Sequence, residues 1–244
     1  MRLSFILPTY NEAGNVGKLI FAIYRQEELR KYKKEFIVVD DDSPDGTADE
    51  VNKLIKRKLP VKLTIRKETH GLAGAILAGI KQAKGEVIVL MDTDFNHRPE
   101  DIDRLLEPIR KKQADLSIGS RYIPGGGMHQ TEASRWQYFF SRWGNYFVNR
   151  WWLNLPVHES LSGFVAVKKK VLDKLDVDKI FYGYGEYCIR LLYFCHQQGF
   201  KIKEVPVMYG LRQYGISKSS LKRMVFYYLK TALELKFTSS RQRV

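Results

Sequence analysis

Apolar and polar positions along the first half of the chain follow a repeating strand–helix order. Leu3-Ser4-Phe5-Ile6-Leu7 is a short apolar run that stops at Pro8, which predicts a strand ending in a turn. Val16, Leu19, Ile20, Ile23 and Tyr24 then recur at helical spacing. Phe36-Ile37-Val38-Val39 reads as a second buried strand, closed by the turn-rich run Asp40-Asp41-Asp42-Ser43-Pro44-Asp45-Gly46-Thr47. Thr47 is placed to cap a helix carrying Val51, Leu54 and Ile55. Val61–Ile65 alternates as a half-buried strand, residues 71–83 form a small-residue helix ended by Gly85, and residues 86–91 are another buried strand that stops at Asp92. Pro99 opens a helix with Ile102, Leu105, Leu106 and Ile109, and residues 114–119 predict a further strand.

The second half is patterned differently. Pro124-Gly125-Gly126-Gly127 is a break. Residues 134–153 follow, with all four Trp of the chain and Arg135, Arg142 and Arg150. A strand-like stretch at 163–167, a loop, a helix over about 186–197 and a strand-like stretch at 201–208 come next, with Pro206 predicting an edge or a bend. Leu221, Val225, Tyr228, Leu229, Ala232 and Leu235 space a last helix over 221–237.

Strand–helix alternation of this kind predicts an α/β fold, a mostly parallel sheet with helices on both faces. Ligands of such open sheets bind beyond the carboxyl ends of the strands. Those ends carry Pro8-Thr9-Tyr10-Asn11-Glu12, Asp40-Asp41-Asp42 and Asp92-Thr93-Asp94.

Composition narrows the partner. The 244 residues carry 41 Lys+Arg against 27 Asp+Glu, a net charge of +14, which predicts an anionic partner: nucleic acid, a phosphate-rich substrate or a membrane surface. Cys188 and Cys195 lie two helical turns apart, too far to bridge easily, which points to a reduced, intracellular compartment. No stretch has the apolar length of a transmembrane helix, and the first residues lack a signal-peptide pattern.

Asp92-Thr93-Asp94 is the sharpest chemical feature. In extended chain its two carboxylates face one way and form a hard oxygen site for Mg²⁺ or Mn²⁺; the alternative is a solvated turn. Three adjacent carboxylates at 40–42 need a cation or hydrogen-bond donors between them, and Ser43-Pro44-Asp45-Gly46 favours a turn as well. Arg212 and Lys218 flank a loop that could close over phosphates, and Arg121 follows a strand end as a further anion binder. His70 and His97 are lone loop histidines without zinc spacing. The glycine patterns of a P-loop, a dinucleotide fold and a nucleophile elbow do not occur.

Taken in order, Pro8-Thr9-Tyr10-Asn11-Glu12, Val39 to Thr47, His70-Gly71-Leu72-Ala73-Gly74-Ala75 and Asp92-Thr93-Asp94 resemble a family 2 glycosyltransferase with the GT-A fold. Asp92 to Glu100, Gly119-Ser120-Arg121-Tyr122, Ser162-Gly163-Phe164, and Glu204-Val205-Pro206 with Arg212 and Gly215-Ile216-Ser217-Lys218 resemble its dolichyl-phosphate (polyprenyl-phosphate) mannosyltransferase subgroup. The resemblance covers about residues 3–220 and implies a glycosyltransferase domain over 1–220 with a basic helix and tail at 221–244. It implies that Pro8, Tyr10, Glu12, Asp40, Asp41 and Gly71 line the nucleotide-sugar pocket, with Asp40 on the base or ribose. It further implies that Asp92, Asp94 and Asn96 hold Mg²⁺ or Mn²⁺ on the donor diphosphate; Asn96 stands where the subgroup usually has Gln. Arg212 and Lys218 would clamp phosphates, and Arg121, Arg135 and Ser141 would bind the acceptor phosphate, although the family's Arg four before the Ser is Gln137 here. The implied reaction is an inverting transfer, with mannose from GDP-mannose as the subgroup's usual donor and UDP-sugar relatives sharing the motifs.

A lipid acceptor needs a bilayer. Residues 134–153 combine aromatic and cationic side chains as an interfacial helix does, the alternative being a core helix with surface arginines. Residues 212–244 carry eight Lys/Arg against one Glu, suited to anionic headgroups or a small membrane partner. The expected location is peripheral, on the cytoplasmic face of a membrane.

Two rivals remain at this point. One is a family 2 enzyme that glycosylates a hydroxyl with Glu186 as general base; the plain reading of Glu186 is a carboxylate favoured at a helix N-terminus. The other is a nucleic-acid-binding module. Carboxylate clusters at two strand ends argue against nucleic acid, because they repel phosphates unless a metal intervenes.

Overall fold

Each buried strand of the sequence carries apolar residues at consecutive positions, so each needs cover on both sides. The computed structural model provides it. The description covers residues 1–68, 70–128, 132–210 and 221–241, and side chains at 132–137, 221–224 and 238–241 are left out. In chain order the elements are β1 (Arg2–Thr9), α1 (Val16–Arg25), β2 (Lys33–Asp40), α2 (Thr47–Lys56), β3 (Val61–Ile65), α3 (Leu72–Gln82), β4 (Val87–Leu90), α4 (Ile102–Arg110), β5 (Leu116–Ser120), β6 (Gly127–Met128) and α5 (Glu132–Tyr146). There follow β7 (Val165–Lys168), α6 (Lys169–Leu172), α7 (Val177–Ile180), α8 (Tyr187–Gln197), β8 (Ile202–Pro206), β9 (Met208–Tyr209) and α9 (Leu221–Arg241).

The main sheet runs β3-β2-β1-β4-β7-β5-β8. Every pair is parallel except those made by β7, which lies antiparallel between β4 and β5. Alternate residues of one strand enter opposite cores. Ile6, Ile37, Val39, Ile88 and Leu90 pack with α3, α8 and α9, whereas Phe5, Phe36, Val38, Val87 and Val89 pack with α1, α2 and α4. The mostly parallel, helix-covered sheet is therefore as expected.

Several boundaries moved for physical reasons. β1 continues through Pro8 to Thr9 beside β2, while its pairing with β4 ends at Ile6, where the missing proline N–H offers no further donor. Pro206 ends β8, an edge strand. The stretch read as one strand over 201–208 splits into β8 and β9, and β9 pairs with β6 in a separate two-stranded ribbon. The loop after β7 contains the short helices α6 and α7. The helix from Pro99 begins as a 3-10 turn over Pro99–Asp101. After Tyr146, α5 widens into a π-helical segment, Phe147–Trp152.

Cys188 and Cys195 are buried free thiols on α8, and burial pushes both up to about 12. α9 joins the core through Tyr228, Ala232 and Leu235. No described helix is long and apolar enough to cross a membrane.

Candidate active site

The loops leaving β1 and β2 are bonded to each other. Asn11 N–H donates to Ser43 Oγ at 2.9 Å, Glu12 N–H to Thr47 Oγ1 at 2.9 Å, and Ala13 N–H to Asp45 at 3.1 Å. Burial raises the Asp45 pKa, but hydrogen bonds from the Thr47 hydroxyl and from backbone N–H groups outweigh it and leave the carboxyl below its usual range. Asp40 is buried, and its carboxylate accepts from Thr9 Oγ1, Ser43 Oγ and Ser43 N–H at 2.6–2.9 Å. This carboxylate organises the turn that the sequence also suggested. Asp41 accepts from Gly71 N–H at 2.6 Å and lies 3.4 Å from the Arg66 guanidinium. Gly71 has φ +132, a conformation that favours glycine, and a Cβ there would sit 3.7 Å from the Gly183 carbonyl. The Asp41–Gly71 hydrogen bond therefore joins the end of β2 to the start of α3, close to the loop before α8. Tyr10 is exposed on the rim, and Pro8 accepts from Thr93 Oγ1 through its carbonyl at 3.1 Å.

The loop after β4 carries Asp92, Asp94 and Asn96 beyond the same carboxyl ends. Asp94 is buried; it accepts from Asn96 N–H at 3.0 Å and from Asn96 Nδ2 at 2.8 Å. The Asn96 amide thereby turns its nitrogen to Asp94 and keeps its oxygen for another contact. Asp92 is partly open, its side chain 41% exposed. Two carboxylates and an amide are hard oxygen donors, so this set fits Mg²⁺ or Mn²⁺. No group of three His, Cys, Asp or Glu able to hold a metal occurs among the described residues, so the remaining ligands would be diphosphate oxygens or water.

Arg121, past the end of β5, is held by a partner that sequence reasoning missed. Glu159 is fully buried and accepts from Arg121 Nε and N–H at 2.7 Å each, and from Nη2. Burial lowers the arginine pKa, but the adjacent Glu159 charge overrides it and raises it. The Arg121 side chain keeps 18% exposure. Glu159 has no sequence signal: it stands in Val157-His158-Glu159-Ser160, and only the fold brings it to residue 121. Ser141 Oγ lies 2.8 Å from Tyr122 Oη, and Tyr138 Oη donates to the Arg121 carbonyl at 2.8 Å. The Arg121 segment is thus bonded to α5. The Arg135 side chain, and Arg212 and Lys218 altogether, lie outside the described residues.

α5 and its π-helical extension turn several polar groups inward, beside the buried Val148, and aromatic rings outward. The inner side uses Tyr138, Ser141, Asn145 and Asn149 in hydrogen bonds, including Ser160 N–H to Asn145 Oδ1 and Asn149 Nδ2 to the His158 carbonyl. The outer side exposes Phe139, Phe140, Trp143, Phe147 and Trp151. Phe226, Leu229, Leu233 and Phe237 form a second exposed apolar stripe on α9. Glu186, at the start of α8, accepts from Tyr184 N–H at 3.1 Å within the loop that approaches Gly71. Far from this end of the sheet, an open cavity of about 520 Å³ at the start of β2 is lined by Tyr24, Arg25, Arg30, Tyr32, Lys33, Lys34 and Pro60. Part of the excess positive charge resides there.

Comparison with known proteins bears on this geometry. Residues 4–176 match the model of the family described as glycosyl transferase family 2. The chain is 37% identical over 238 residues to the dolichol-phosphate mannosyltransferase of Pyrococcus furiosus, covering 94% of this chain and 62% of that protein, so it spans somewhat under two thirds of that relative. It is 33% identical over 225 residues to the polyprenol monophosphomannose synthase of Mycolicibacterium smegmatis, covering 90% of this chain and 81% of that protein. Its fold is similar to that of glucosyl-3-phosphoglycerate synthase from Mycobacterium tuberculosis in complex with Mn²⁺, UDP-glucose and phosphoglyceric acid, with a TM-score of 0.67 at 16% identity over 97% of this chain and 79% of that one.

Proposed function

The chain belongs to glycosyl transferase family 2, and from that premise we propose that it transfers mannose from GDP-mannose to a dolichyl or polyprenyl phosphate at a membrane surface. One observation carries this reading. The Asp92-Thr93-Asp94 turn and Arg121 leave the same end of the sheet, and the Arg121 segment is bonded to a helix whose exposed side is aromatic. In this reading a nucleotide-sugar site at Asp92–Asn96 and a lipid-acceptor surface on α5 would share one end of the sheet.

In this reading Pro8, Tyr10, Glu12, Asp41 and Gly71 shape the nucleotide pocket. Asp40 contributes by fixing the turn beside it. Asp92, Asp94 and Asn96 would hold Mg²⁺ or Mn²⁺, which supplies positive charge to the leaving diphosphate when bound. Arg212 and Lys218 would add to that charge from the segment after β9. Arg121, with Arg135 and Ser141, would bind the acceptor phosphate. A phosphate monoester has a second pKa of about 6, so the acceptor is largely ionised at neutral pH and attacks the anomeric carbon without a strong general base. A single displacement inverts that carbon and gives a β-linked lipid-phosphate sugar. The helix at 134–153 and the basic stretch at 212–244 would keep the enzyme on the cytoplasmic face of a bilayer, where a small membrane protein could also engage α9.

The test is to incubate the chain with Mg²⁺ or Mn²⁺, dolichyl phosphate and a panel of labelled nucleotide sugars, and then extract the lipid phase. Label from GDP-mannose should enter the lipid with β configuration, and Asp94→Ala should abolish transfer. Equal transfer to soluble glycans would instead favour the hydroxyl-acceptor reading with Glu186 as base. A product with retained configuration would refute the single displacement.

A further inference from the structure

Three distant stretches of chain meet behind Asp92. The Asp92 N–H donates to His97 Nδ1 at 2.9 Å. A ring nitrogen that accepts from an N–H carries no hydrogen, so the donor of this ring is Nε2. Nε2 lies 2.9 Å from the Ser162 carbonyl oxygen and 3.0 Å from Tyr209 Oη. Tyr209 Oη itself donates to the Ser162 carbonyl at 2.7 Å and lies 2.7 Å from Ser162 Oγ. His97 is buried and stacked on Phe164, with ring centroids 5.0 Å apart.

The residue after Tyr209 completes the arrangement. Gly210 N–H donates to the Asn96 carbonyl at 3.0 Å. A Cβ at 210 would stand 2.6 Å from the Phe95 carbonyl oxygen, a clash with backbone that cannot yield cheaply. Glycine is what allows this strand end to lie against the loop. Phe95 itself has φ +67, a strained conformation for a bulky residue that the surrounding bonds must maintain. On the Tyr209 ring sits the Arg121 guanidinium, 4.4 Å from the centroid.

Buried histidines ordinarily satisfy themselves within a core. Here His97 ends on the backbone of Asp92 and Gly210 on the backbone of Asn96, so that the two bracket both carboxylates of the Asp92-Thr93-Asp94 turn. The same tyrosine touches the cation beside Glu159. We propose that His97, Tyr209 and Gly210 form a clamp of positioning residues that presents the Asp92–Asn96 loop to a metal–diphosphate and keeps it in register with Arg121. This rests on the nucleotide-sugar reading above. None of the three is a catalytic residue.

Outer-shell partners of metal ligands typically change metal affinity by about 10–100-fold when removed, which sets the scale of the test. The full chain and its variants are titrated with Mn²⁺ in the presence of GDP, with free Mn²⁺ read by electron paramagnetic resonance and folding by circular dichroism. His97→Ala should weaken Mn²⁺ binding about tenfold, at the lower end of that range. His97→Asn, whose amide oxygen can occupy the Nδ1 position, should recover most of it. Tyr209→Phe should lower the affinity by less than His97→Ala does, because the ring and His97 remain. A merely structural role would lower the unfolding midpoint without this recovery by Asn.

A folded His97→Ala protein with wild-type Mn²⁺ affinity overturns the clamp, and so do equal losses in His97→Ala and His97→Asn. If His97→Ala does not fold, Tyr209→Phe decides, and unchanged affinity in it overturns the proposal. Wild-type protein that binds no Mn²⁺ with GDP rejects the functional reading itself. Normal wild-type binding with unaffected variants rejects the clamp alone.

Discussion

Trp143→Ala combined with Trp151→Ala tests whether the aromatic side of α5 meets a bilayer. The two side chains are 57% and 75% exposed. A tryptophan presents up to ~250 Å² of surface, so the exposed parts amount to roughly 140 and 190 Å². Full burial at ~25 cal/mol per Å² would be worth roughly 8 kcal/mol for the pair, and insertion to half depth at an interface roughly 4 kcal/mol. Four kcal/mol corresponds to about a thousandfold in partition. Because both rings already face outward, their removal should change folding stability by no more than about 0.5 kcal/mol. Flotation with phosphatidylcholine–phosphatidylglycerol vesicles should therefore recover wild type in the lipid fraction and leave the double variant in solution, with the same unfolding midpoint for both. High salt separates the contributions: headgroup attraction to the basic stretch weakens, while apolar insertion does not. A double variant that floats like wild type, or wild-type binding that vanishes entirely in high salt, would remove the aromatic surface from the reading.

Two further perturbations probe the buried charges. Glu159→Gln leaves the Arg121 guanidinium without its carboxylate in a mostly buried place, so it should cost about 3 kcal/mol in urea unfolding and raise the KM for lipid phosphate; unchanged stability would show that water already compensates Arg121. Burial raises the pKa of Glu35, which is 4% exposed, but bonds from Ser4 Oγ, Lys84 N–H and Lys62 outweigh it and leave the carboxyl below 4.5. The stabilisation is full above pH 4.5 and fades as pH falls through the folded-state value, so Glu35→Gln should be less stable by about 2 kcal/mol at neutral pH and approach wild type in acid. A constant difference down to pH 2 would contradict that assignment.

Much of the fold was legible because burial leaves a local trace. Phe36 to Val39 reads as a strand since all four side chains need cover, and Ile102, Leu105, Leu106 and Ile109 read as a helix since one side does. The turn residues at 40–47 and the Asp92-Thr93-Asp94 motif likewise announce themselves within a few positions. α5 shows where a local pattern gives only half the answer. Its aromatic and cationic content was plain, but which side faced outward depended on Tyr122, His158 and Ser160 offering polar partners for the inner side.

By itself, the sequence determined the alternation of elements, the strand ends where polar chemistry collects, and the family. The tertiary structure decided that β7 enters antiparallel between β4 and β5, that Glu159 holds Arg121, and that His97 and Gly210 grip the Asp92–Asn96 loop. The reason is physical. Periodicity records how deeply each residue is buried, whereas the Arg121–Glu159 and Asn96–Gly210 contacts join groups 38 and 114 positions apart, and the short-range His97–Asp92 bond is itself held by Ser162, 65 positions on. Their partners are chosen only when the chain returns.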